Sequence, residues 1–171
     1  MTSAFAEVER RFLVTDTSIV AGAPWQLLTQ AYVFVQDGYA IRVRQIQEPI
    51  PFETRLSTGR AFMTGKGPDH GFGAARERDE FETEVDPLWA HQVITRCANV
   101  IRKRRYQVLT TETWEVDEFL DDNADLWIAE LEGGPEVQSV RRPAWLGTEI
   151  TKDDRYDNDH LAVRPYQSWT N

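Results

Sequence analysis

The chain has 171 residues, 41% of them hydrophobic, enough for one sizeable core and for a single domain over residues 1–171. Its net charge of −9, from 28 acidic against 19 basic residues, argues against nucleic acid or an anionic membrane as partner, although metal cations would still let it bind an anion. Cys97 is the only cysteine and no signal-like or long apolar run opens the sequence, so the expected setting is a reducing cytoplasm.

Residues 5–14 read as a first strand, with Glu7, Glu9 and Arg11 on one face and Val8 and Phe12 on the other, where Arg10 interrupts the apolar run. Residues 16–25 contain Gly22 and Pro24 and are expected to be irregular or briefly helical. A strand over 27–35 turns at Asp37-Gly38, a strong hairpin signal, into another over 39–46. There Ile41 and Val43 face one way and Arg42 and Arg44 the other. Pro49 and Pro51 place a loop over 47–59, with a short strand at 52–56, and a further short strand over 61–67 presents Lys66. Residues 76–85 alternate Arg78, Glu80 and Glu82 against Asp79, Phe81 and Thr83.

Asp86-Pro87 reads as the N-cap and first position of a helix that runs to a stop at Asn99. Ala90, Val93, Ile94 and Cys97 share its apolar stripe, which makes Cys97 a core residue and His91 a surface one. Strands follow over 100–108, with Ile101 set against Lys103 and Arg105, and over 113–120, with Trp114 and Val116 against Glu115 and Asp117. After a turn at 121–125, a strand over 126–132 sets Trp127, Ala129 and Leu131 against Ile128, Glu130 and Glu132. The rest, 135–171, is polar, with a helix near 157–163.

At least six strands thus carry two or more ionisable residues at period two, several with apolar residues opposite. Two arrangements satisfy this: a sandwich with a wet exterior, or a closed sheet with a charged lumen and helices outside. Tight pairs of Arg and Glu, and few strands apolar on both faces, point to the closed sheet; periodicity leaves both open.

Glu7-Val8-Glu9-Arg10-Arg11 resembles the ExExK signature of the CYTH superfamily, the triphosphate tunnel metalloenzymes. The likeness continues in order through Gln30-Ala31-Tyr32, Ile41-Arg42-Val43-Arg44, Thr64-Gly65-Lys66-Gly67, Arg78-Asp79-Glu80-Phe81-Glu82, Lys103-Arg104-Arg105-Tyr106 and Trp114-Glu115-Val116-Asp117. It ends with Ala129-Glu130-Leu131-Glu132, Trp145-Leu146-Gly147 and Arg155-Tyr156-Asp157-Asn158, so it spans nearly the whole chain.

The resemblance implies an α+β, mostly β fold: a closed antiparallel eight-stranded β-barrel, or tunnel, with flanking helices, in which metal-dependent enzymes act on triphosphates. It turns eight acids inward (Glu7, Glu9, Glu80, Glu82, Glu115, Asp117, Glu130 and Glu132) against seven bases, and two divalent cations would make that balance positive, as a polyanion requires. By resemblance Glu7, Glu9, Glu115, Asp117, Glu130 and Glu132 ligate two Mg²⁺ or Mn²⁺ ions, which carboxylate oxygens suit. Arg11, Arg42, Arg44, Lys66, Arg78, Lys103 and Arg105 bind phosphate oxygens, and Glu7, Glu9 and Arg11 are the catalytic set. Arg78, Glu80 and Glu82 could instead form an internal salt-bridge lattice.

The implied reaction is hydrolysis of a terminal phosphoanhydride, with inorganic tripolyphosphate as the first substrate. A nucleoside or thiamine triphosphatase, or a CYTH-type adenylate cyclase, is an alternative that would need an aromatic at the tunnel mouth, from Trp25, Tyr32 or Trp145. A non-catalytic polyphosphate-binding module is another, because Arg11 replaces the signature Lys and keeps the charge without the ability to lose its proton. A homodimer is compatible with the chain.

Overall fold

Nine strands and two short helices account for most of the computed structural model, which describes residues 6–50, 58–71 and 73–169. The strand expected at 52–56 lies outside those residues. The strands are β1 (Ala6–Val14), β2 (Trp25–Gln36), β3 (Tyr39–Gln47), β4 (Arg60–Lys66), β5 (Arg76–Val85), β6 (Val100–Leu109), β7 (Thr113–Phe119), β8 (Trp127–Gly133) and β9 (Leu146–Glu149). The helices are α1 (Pro87–Ile94) and α2 (Asn158–Val163). Among the described residues no helix is long and apolar enough to cross a membrane.

Local chemistry sets the turns. Asp37 and Gly38 both have positive φ, 52° and 81°, which the tight hairpin between β2 and β3 requires. Asp86 caps α1 by accepting a hydrogen bond from the Trp89 N–H at 2.8 Å, with Pro87 at the first helical position.

Every ladder is antiparallel, in the order β5-β4-β3-β2-β6-β7-β8-β1-β9, and a further pairing of β1 with β5 closes eight strands into a barrel. β1 divides one edge: Ala6 to Glu9 pair with β5, whereas Phe12 and Val14 pair with β9.

Closure turns the apolar faces outward. Phe12, Val108, Trp114, Val116, Ala129 and Leu131 form one outer cluster, covered by Val137 and Leu146; Ala31, Val43 and Ala61 form another under Ala90 and Ile94 of α1. α1 ends earlier than the expected stop at Asn99, and Cys97 packs half-buried against this second cluster. Arg10, the charge within the outer face of β1, lies over the Phe12 ring and bonds Glu149 at 2.9 Å.

A third cluster lies at one end of the lumen. Ile101, Phe119 and Ile128 pack there against Leu126, Ile150 and Leu161, with Tyr156, Tyr166 and Trp169 at the margin. Ile101 therefore shares the inward face of Lys103 and Arg105 rather than opposing them, as the two-residue period demands. The polar tail does more than expected: it supplies β9 and, through α2, the floor of the barrel.

Candidate active site

The lumen above that floor is a cavity of about 740 Å³ running from the Asp37-Gly38 turn to the start of α2. Of the residues singled out from the sequence, Glu7, Glu9, Arg11, Arg42, Arg44, Lys66, Arg78, Lys103, Arg105, Glu115, Glu130 and Glu132 all line it. Asp117 does not.

Strand register builds one acidic wall. Glu9 pairs with Glu132 across β1 and β8, and Glu115 with Glu130 across β7 and β8, juxtapositions that repel unless a cation separates them. Burial, and then the Glu7 carboxylate, pushes the Glu9 pKa up. Glu132, near the rim, is pushed up to about 7 by burial, Glu7 and Glu115. Lys66 reaches this wall, bonding Glu7 at 2.6 Å and pairing with Glu80 at 2.8 Å. Carboxylates set side by side on one wall, with Glu9 and Glu132 held above their ordinary pKa, are a hard oxygen donor set for a divalent cation, so these residues fit Mg²⁺ or Mn²⁺.

The opposite problem holds across the lumen. Burial and the neighbouring Arg42 and Arg105 guanidinium groups push the Arg44 pKa down to about 10, even though Glu82 sits 2.9 Å away. Arg42 is 8% exposed, and among the described residues its nearest carboxylate is Glu80 at 3.8 Å and its Nε–H has no acceptor. A buried donor without a partner is costly, and an anion in the lumen would supply one.

Asp117 is fully buried behind this cationic wall. It accepts from Lys103 Nζ at 2.5 Å and from Arg105 Nε and Nη2 at 2.7 and 2.6 Å. Burial would raise its pKa, but Arg105 and Lys103 overcome that and hold it at about 2. Arg105 also donates to Glu115, and to Glu130 at 2.7 Å, so one guanidinium joins the cationic wall to the acidic one.

Arg11 turns toward the floor. Only 3% exposed, it donates to Asp157 at 2.5 Å and to the Tyr156 carbonyl at 3.3 Å. Asp157 also takes Arg76 at 2.6 Å and Arg78 at 3.2 Å. Arg76 and Asp157 were not among the expected site residues. Arg76 could have been found by extending the alternation of β5 by one step; Asp157 stands within a motif of the resemblance, but no strand parity points it inward.

The aromatic candidates separate in the same way. Trp25 packs beneath Arg104 and Trp145 stacks edge-on to Trp114 in the outer cluster, so neither lines the lumen. Tyr32 does, buried beside Gln30, and burial pushes its pKa up to about 12.

No family model matches the chain. It is 32% identical over 166 residues to the inorganic triphosphatase of Acetivibrio thermocellus, a match covering 95% of this chain and 97% of that one. The crystal structure of the inorganic triphosphatase NE1496 superposes with a TM-score of 0.60 at 25% identity, covering 95% and 96% of the two chains. HpAC1 from Hippeastrum shares the fold, with a TM-score of 0.55 at 15% identity over 78% of this chain and 82% of its own. Fold and lumen together define a tunnel protein, a closed barrel with charges of both signs inside. The chain belongs to the CYTH superfamily, the triphosphate tunnel metalloenzymes.

Proposed function

We propose that the protein hydrolyses the terminal phosphoanhydride of inorganic tripolyphosphate in a metal-dependent reaction, as a single-domain enzyme of the cytoplasm. The observation that carries this reading is the buried, under-bonded Arg42 beside a depressed Arg44, opposite carboxylates short of a cation. A polyanion with divalent cations satisfies both walls at once. A nucleic acid or a membrane surface would instead meet a molecule of net charge −9.

Arg42, Arg44, Lys66, Arg78, Lys103 and Arg105 bind the phosphate oxygens and neutralise charge as the bond breaks. Glu7, Glu9, Glu115, Glu130 and Glu132 would hold two Mg²⁺ or Mn²⁺ ions. Bound there, the metal would supply Lewis-acid polarisation of phosphate oxygens and of the attacking water. Glu9, on the acidic wall of the lumen beside Glu7, accepts the proton of the water that attacks the terminal phosphorus, with Glu7 as the nearest substitute. The P–O bond to the bridging oxygen breaks and pyrophosphate leaves against the guanidinium groups. Asp117 orients Lys103 and Arg105 from behind. Arg11 serves as a fixed charge and anchor, so the loss of the signature Lys removes no proton carrier from this scheme.

Phosphate release from tripolyphosphate, ATP and thiamine triphosphate, each with Mg²⁺, with Mn²⁺ and with EDTA, tests the assignment. Fastest release from tripolyphosphate, abolished by EDTA, is expected. Preference for either organic triphosphate would move the substrate assignment, and tight binding without turnover would make the protein a binding module.

A further inference from the structure

Asp157 occupies the N-cap position of α2, where an aspartate ordinarily bonds the first amides of its own helix. Here it makes no such bond. Its carboxylate points away from the helix into the lumen and collects three guanidinium groups: Arg11 at 2.5 Å and Arg76 at 2.6 Å on one oxygen, Arg78 at 3.2 Å on the other. These come from two strands, β1 and β5, that meet at the closure of the barrel. All three arginines line the cavity, and among the described residues each keeps a buried Nε–H without an acceptor.

We infer that Asp157 is a positioning residue for the tripolyphosphatase reaction, holding Arg11, Arg76 and Arg78 as a preset cationic seat for the end of the phosphate chain that points toward α2. This deepens the function proposed above and rests on it. Three long side chains each lose rotamer freedom when they grip a ligand, and a shared buried counter-ion sets that order before the ligand arrives. Asp157 is 7% exposed and has given up its helix cap, so the carboxylate serves the lumen and not the helix. A separate contact ties the lumen to the floor at the next residue, where Asn158 accepts from Lys103 at 3.3 Å.

The test compares wild type, Asp157→Asn and Asp157→Glu in tripolyphosphate turnover, calorimetric binding of tripolyphosphate without metal, and thermal melting. Asp157→Asn should raise KM and the metal-free Kd about tenfold, the scale of one charge-assisted hydrogen bond network, with kcat changed less than about threefold. Asp157→Glu keeps the charge and should recover part of that loss. A lower Tm with KM and Kd unchanged would assign Asp157 to stability alone and overturn the inference. If the neutral variant does not fold, Asp157→Glu decides: its longer arm displaces the guanidinium groups and should raise KM and Kd, and unchanged values overturn the proposal. Absence of turnover in wild type would sink the proposed reaction instead, and the metal-free binding comparison would still judge Asp157.

Discussion

Glu9 lines the lumen and Asp117 is buried behind its cationic wall, and their surroundings give these two acids opposite energetics. Asp117 sits between Lys103 and Arg105, so replacing it with Asn leaves two buried cations facing a neutral amide. Breaking such a buried network costs about 3–5 kcal/mol, and Asp117→Asn should show a loss of that order in urea denaturation. Glu9 is held against burial and against Glu7, so Glu9→Gln removes a charge that the fold already disfavours. That variant should keep or raise its Tm while metal-dependent phosphate release falls by about 100-fold or more. A clear drop in Tm would make Glu9 a structural residue and contradict its assigned part. At this scale the sequence supplies the face on which each charge lies, since Glu7, Glu9 and Arg11 alternate as any strand residues must. It does not supply partners: Arg11 and Asp157 are separated by 146 positions, and no local pattern joins them.

At the scale of elements, the strands were legible because period two is local, and α1 because Asp86-Pro87 is a local signal. β9 was not, since four residues with one buried apolar side chain, Leu146, carry no periodicity. Nor was the purpose of the polar tail. α2 has six residues, too few for a helix to persist alone, and it stands because Leu161 fills the barrel floor and Asp157 binds the strands. Leu161→Ala should therefore cost about 2–5 kcal/mol in denaturant unfolding, as for other fully buried leucines. A loss below about 1 kcal/mol would mean that the floor unfolds apart from the barrel. Asp86→Ala, by contrast, removes only a cap from a surface helix and should cost about 1 kcal/mol.

For the whole molecule the fold inverts the usual distribution: the hydrophobic clusters lie mainly outside the sheet and the charges inside it. The electrostatics of the lumen should then govern stability against pH. Glu132 titrates near 7 and Glu9 above its usual range, whereas both fall in the ordinary range near 4 once unfolded. Between those values the folded state binds more protons than the unfolded one, so this contribution is present at low pH and lost as pH rises through about 7. Asp117 and Asp157 act the other way, because their folded pKa values are depressed, and their contribution is lost as pH falls below the ordinary aspartate range. The metal-free protein should therefore be most stable in mildly acid solution. Mg²⁺ or Mn²⁺ binds the deprotonated carboxylates, so added metal should raise Tm more at about pH 8 than at about pH 5 and flatten the alkaline decline. Glu132→Gln should remove much of that decline and part of the metal response. Scanning Tm over this range, with and without metal, decides the matter: a metal-free Tm that stays level to pH 8 would mean that the acidic wall has cations enough from the chain itself.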